Sequence, residues 1–178
     1  ANIPANGYSV YDVRTGGAGK TITPSASNTL ENSVYKLTLD KNGDITSLID
    51  KRANKEMVKD GKAIRLALFT ENKSYSWPAW EVLKETTDHD PISITDDVKV
   101  TLVENGTLRK ALCIEKKHGK SLFKQYIRLN EGDRADRIDF YNEINWNSPN
   151  ALLKAEFPLN IENEKATYDL GIGSIERG

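Results

Sequence analysis

The sequence predicts an all-β domain, an antiparallel β-sandwich, and three observations carry that expectation. Apolar and polar residues alternate with period two in many short stretches; turn-forming groups such as Asn42-Gly43, Gly119-Lys120 and Glu131-Gly132 separate them; and no stretch sustains a 3.6-residue apolar period. Strands that recur about every ten residues without intervening helices favour a sandwich over βαβ units.

The elements follow in order. Tyr8 to Val13 is the first candidate strand, and Thr15 to Asn28, with Gly16, Gly17, Gly19 and Pro24, reads as a long loop. Tyr35, Leu37 and Leu39 point one way and Lys36, Thr38 and Asp40 the other. Asn42-Gly43 then predicts a tight hairpin, because both positions tolerate positive φ. Ile45, Ser47 and Ile49 form the return strand, with Leu48 on its opposite face. Lys51 to Val58 carries a weak helical pattern too short to hold, and is read as strand or loop. Ile64 to Thr70, Trp80 to Glu85 and Ile92 to Thr95 are further strands. Val98, Val100 and Leu102 lead into a hairpin at Asn105-Gly106 and out through Leu108, Leu112 and Ile114. His118-Gly119-Lys120 turns the chain into Leu122 to Leu129. After Asn130-Glu131-Gly132-Asp133, a long half-buried strand places Ile138, Phe140, Ile144 and Trp146 on one parity. Leu152 to Asn160 and Thr167 to Ile172 complete the set.

Composition excludes several functions. With 178 residues the chain is long enough for one domain with a buried core, and 38% apolar residues suit an ordinary globular protein. No run approaches the roughly eighteen apolar residues that cross a bilayer, so a soluble protein is expected. A net charge of -1, from 25 Lys+Arg against 26 Asp+Glu, lacks the cationic surplus that phosphate backbones require, so nucleic acid is excluded as a partner. The single cysteine, Cys113, lies among Ala111, Leu112 and Ile114 and reads as a buried thiol in a reducing, cytoplasmic compartment. The chain begins Ala1-Asn2-Ile3, without an initiator Met or a signal segment, which predicts that it is a piece of something longer.

Most apparent motifs fail on their chemistry. Gly16-Gly17-Ala18-Gly19-Lys20-Thr21 resembles a phosphate loop, but Arg14 stands where the first glycine belongs and Ile22-Thr23-Pro24 is a poor helix start. Asp40, Asn42 and Asp44 have the first spacings of a calcium loop, yet Ile45 and Lys51 replace the required Gly and Glu. His89 and His118 are too far apart in sequence to form a zinc pair, and each is read as a loop or turn residue. Cys113 has no adjacent base, there is no GxSxG, and no carboxylate pair stands out from a solvated face. Asn72-Lys73-Ser74 and Asn105-Gly106-Thr107 match the glycan-acceptor pattern, which matters only in a secreted eukaryotic protein. No catalytic residue and no metal ligand is assigned.

The informative cluster is Tyr75-Ser76-Trp77-Pro78-Ala79-Trp80-Glu81. Exposed aromatic rings offer flat apolar faces on which pyranoses stack, so Trp77 and Trp80 are the candidate substrate-binding residues. The alternative is that both pack in the core or between domains.

Four stretches in order carry a resemblance to a known family: Leu30 to Leu37 with Asn42 to Leu48; Trp77-Pro78-Ala79-Trp80-Glu81-Val82; Arg137-Ile138-Asp139-Phe140 through Asn145-Trp146; and Leu152 to Pro158 with Ile175-Glu176-Arg177. In these the chain resembles the β-domain of family 38 glycoside hydrolases, the α-mannosidases. It departs at Pro78, where an aspartate is usual. The resemblance implies a supersandwich of the galactose-mutarotase-like kind, spanning 1–178 as a single domain of a larger glycosidase. Such enzymes have an N-terminal catalytic domain, then a helical bundle, then β-sandwich domains. The family holds zinc through histidines and aspartates, one of which is also the nucleophile of a retaining mechanism. None of those motifs matches a position here, so zinc is expected in the parent catalytic domain and no cofactor in this chain. The implied partners are the chain's own catalytic domain and, through the parent, a mannoside, with Trp77 and Trp80 at the edge of the sugar site. An exposed apolar surface is expected where that domain would pack. The rival expectation is an autonomous carbohydrate-binding or mutarotase-like sandwich, in which His89 and His118 would converge with a glutamate in one cleft.

Overall fold

The computed structural model describes residues 6–12 and 23–178. In chain order the strands are β1 (Thr29–Glu31), β2 (Tyr35–Leu39), β3 (Ile45–Asp50), β4 (Lys55–Glu56) and β5 (Arg65–Phe69). A one-turn helix α1 (Lys84–Thr87) precedes β6 (Ile92–Ser93), β7 (Asp96–Asn105), β8 (Arg109–His118) and β9 (Ser121–Asn130). A 3₁₀ turn (Gly132–Arg134) leads to β10 (Ile138–Asn145), β11 (Leu152–Glu156), β12 (Ala166–Asp169) and β13 (Ser174–Arg177). The fold is nearly all β, and every strand pair is antiparallel.

Two four-stranded sheets, ordered β1-β2-β3-β4 and β10-β9-β8-β7, supply the main core. Leu30, Leu37, Leu39, Ile45 and Leu48 from the first sheet meet Leu112, Ile114, Ile127 and Leu129 from the second, with Ile138 and Phe140 packed alongside. A third sheet, β11-β5-β6, closes a smaller core in which Leu66, Leu68 and Ile94 pack with Phe123 of β9. Isolated bridges from Ile45 to Ile64 and from Val58 to Leu159 tie the layers together. Asn32, only 3% exposed, pins the edge of the first sheet. Its amide donates to Asn130 O and Ala135 O at 2.6 and 2.8 Å, and its Oδ1 accepts from Val34 N and Tyr35 N. A buried amide with all these bonds made costs nothing in unpaired polarity and fixes how the two sheets meet.

The β2–β3 hairpin forms, with its details set by one extra residue. Asp40 Oδ1 accepts from Asn42 N and Asp44 N, and Gly43 alone takes positive φ, at 70°. Leu37 pairs with Leu48 and Leu39 with Ile45, so Thr46 is a bulge. The bulge reverses the expected parity, and Leu48 joins Ile45 in the core while Ile49 lies half-buried elsewhere.

Other expectations also shift. The β7–β8 turn is centred two residues later than Asn105-Gly106, on Thr107-Leu108, since Gly106 N donates to Arg109 O. Leu108 is consequently 78% exposed at the tip and not in the strand. Trp80 to Glu85 is no strand: Trp80 N and Glu81 N both bond Trp77 O, and α1 begins at Lys84. Residues 8–12 form no strand, and Val13, the Gly16–Thr21 motif and most of the Thr15–Asn28 loop lie outside the described residues. Lys51 to Val58 resolves into a turn followed by β4 and a bridge at Val58. On β10, Ile138 and Phe140 face the core, but Ile144, and Trp146 just past the strand's end, remain about 40% exposed. No helix among the described residues is long and apolar enough to cross a membrane.

Candidate functional site

Two regions bring chemistry-bearing side chains to the surface. The first is the connection from β5 to α1, which carries Trp77 and Trp80. Its shape comes from local side-chain bonds that compete with strand pairing. Asn72 N donates to Asn150 O, the Asn72 amide donates to Pro78 O at 3.2 Å, and Thr86 Oγ1 donates to Asn72 Oδ1. Ser74 Oγ donates to Glu81 Oε2 at 2.7 Å and accepts from Trp77 N at 2.9 Å. The result is an ordered loop whose rings point outward: Tyr75 is 98%, Trp77 65% and Trp80 89% exposed. Both tryptophans are therefore outside the core, and the core alternative is removed. Asn72 is buried with its amide engaged, so the acceptor pattern at Asn72-Lys73-Ser74 serves structure.

The second region is a cleft of about 830 Å³ between the β2–β3 turn, the β5–β6 pair and the end of β11. Sequence reading missed it, because its groups come together only through long-range pairing. Lys116 and Asp44 form its buried foundation, with Nζ to Oδ1 at 2.5 Å and side chains 6% and 4% exposed. Burial pushes the Asp44 carboxyl above the usual carboxylate range, and the bond and charge of Lys116 pull against that rise. One signal was present in the sequence: Lys116 continues the parity of Leu112 and Ile114, which face the core. On the opposite wall Arg65 Nε donates to Glu156 Oε2 at 3.0 Å and Arg65 Nη1 to Ser93 Oγ at 2.6 Å. Asp40, Asp44, Asp90 and Glu156 line the cleft against Lys62 and Arg65, and Lys116 neutralises Asp44 from behind. Four carboxylates against three cations leave the cleft close to neutral. Phe157, half-exposed, and Pro158 give it an apolar lip.

The remaining candidates do not assemble a catalytic centre. His118 sits at the β8–β9 turn opposite Ser121, whereas His89 follows α1 with Nδ1 3.2 Å from Glu85 O and its ring edge-on to Phe69. Neither lines the cleft, so the convergence that the autonomous reading requires is not found there. Cys113 is 5% exposed, and burial raises its thiol pKa, the reverse of what a nucleophile needs. Among the described residues no three His, Cys, Asp or Glu side chains are grouped to hold a metal ion. The described residues therefore do not fit zinc.

Comparison with known proteins shows the family. The family model described as the glycosyl hydrolases family 38 C-terminal domain matches residues 30–178. Alpha-mannosidase G of Dictyostelium discoideum is 28% identical over 99% of this chain and 18% of its own length. Alpha-mannosidase 2C1 of Homo sapiens is 24% identical over 84% of this chain and 14% of its own, and the Mus musculus protein of that name is 25% identical over the same shares. The chain thus spans less than a fifth of the length of these relatives. The match of that family model to residues 30–178 places the chain in the family of glycosyl hydrolase family 38 C-terminal domains.

Proposed function

We propose that this chain is the non-catalytic β-sandwich domain of a retaining, zinc-dependent α-mannosidase of the cytoplasm, the parent enzyme hydrolysing terminal α-mannosides. Zinc and the nucleophile belong to the parent's N-terminal catalytic domain. Trp77 and Trp80 form the edge that packs on that domain and completes the sugar site. The observation that carries this reading is the ordered loop that holds two indoles in solvent although nothing in the fold needs them there. Apolar rings kept exposed by a network of polar bonds suit a contact with another surface or a sugar face.

Half of a composite site does not bind on its own. Titration of the 178-residue chain with mannose, read by tryptophan emission, is expected to give no saturable change attributable to the loop. A saturable change that disappears in Trp77→Ala or Trp80→Ala would count against the composite site and favour an autonomous carbohydrate-binding sandwich.

A further inference from the structure

We propose that the cleft between the β2–β3 turn and the β5–β6 pair binds a neutral polyhydroxylated ligand of pyranose size, at a site separate from the tryptophan loop. The argument rests on what the lining can and cannot recognise. At about 830 Å³ the space is ample for one or two sugar rings. Near balance of charge offers no basis for holding a phosphate or carboxylate, and the described residues group no metal ligands.

What the cleft presents is donors and acceptors already fixed in place. Arg65 is held by Glu156 on one side and Ser93 on the other, so its remaining N–H groups are oriented without further loss of rotamer freedom. Asp44, 3% exposed, is fixed by Lys116, which does not itself line the cleft. A hydroxyl both donates and accepts, so an array of immobilised carboxylates beside a guanidinium suits adjacent hydroxyls on one ring. Phe157 supplies the apolar surface against which the C–H face of that ring can lie. An isolated polar pocket without such a surface would suit water equally well.

The choice of mannoside as probe rests on the proposed function, whereas the location of the site does not. The test is titration of the ¹⁵N-labelled 178-residue chain with methyl α-mannoside, followed by amide shifts. Saturable shifts are expected at Asp40 to Thr46, Ala63 to Arg65, Ser93 and Glu156-Phe157. Asp90→Ala, at an exposed position, and Phe157→Leu, which keeps an apolar side chain against Phe140 while removing the flat ring, are expected to keep the fold and to weaken binding by roughly five-fold or more. Leu108→Ser, at the exposed tip of the β7–β8 turn and outside the cleft lining, is expected to leave it unchanged. Absence of saturable shifts, shifts confined to residues 74–82, or indifference to both cleft substitutions would overturn the proposal. Any of these results would leave membership of the α-mannosidase family, which rests on other observations, in place.

Discussion

Lys116→Met is expected to destabilise the fold at neutral pH by about 3–5 kcal/mol, the range for removing one partner of a buried ion pair. The reason is the charge left behind. Asp44 is as buried as Lys116, and without the ammonium it must either stay ionised in an apolar setting or take up a proton. The pH dependence follows from the direction of its pKa. Folding already raises the Asp44 pKa above its unfolded value, so its stabilising contribution is full below the unfolded carboxylate pKa and is lost as pH rises through the folded one. Methionine at 116 removes both the bond and the charge that oppose that rise, so the folded pKa climbs further and the loss at neutral pH grows. Urea unfolding at about pH 7.5 and about pH 4.5 should therefore show a deficit that shrinks on acidification. Lys116→Met combined with Asp44→Leu should recover most of the stability, since an apolar pair leaves no orphaned charge. A single variant within about 0.5 kcal/mol of the parent chain at neutral pH would show that the pair is not buried as described.

The second large effect is expected at Gly43. Two costs coincide there. Its φ of 70° lies in the left-handed region, which costs an alanine about 1–2 kcal/mol. A Cβ would also lie 2.7 Å from Ile114 Cγ2, a side chain fixed in the core, and overpacking of that kind costs about 1–3 kcal/mol. Gly43→Ala should thus lose about 2–5 kcal/mol in chemical denaturation. Gly61 isolates the backbone part, because its φ is 68° and a Cβ there would meet no atom within 4 Å. Gly61→Ala should lose only about 1–2 kcal/mol. Equal losses at the two positions would mean that the close approach of the turn to β8 is absent.

How much of this was legible in the sequence depended on range. The β8–β9 hairpin was, because alternation and a glycine turn agree locally: His118 pairs with Ser121 across Gly119, whose φ is 56°. The β7–β8 turn misled because Asn105-Gly106 is a strong turn signal, yet pairing between long strands placed Thr107-Leu108 at the tip instead. Leu48 lies on the face opposite to the one its alternation predicts, because a bulge leaves no mark on an alternating pattern. β1, β4 and β13 are two to four residues long and offer too little alternation to recognise.

The candidate site divides in the same way. Trp77 and Trp80 stand out in any reading of the chain, and their exposure is a local matter of Ser74 and Asn72. The cleft could not be seen, because Asp44 and Lys116 are 72 residues apart and Arg65 and Glu156 are 91. Lys116 in particular opens the run Lys116-Lys117-His118, which reads as a solvated end of a strand, and only the parity of β8 turns it inward.

We propose that this domain belongs to an α-mannosidase and does not itself carry the chemistry. The most direct test is an assay of the purified 178-residue chain against an aryl α-mannoside, with and without added zinc. No hydrolysis above the buffer rate is expected in either condition; zinc-dependent turnover by the pure chain would contradict the account.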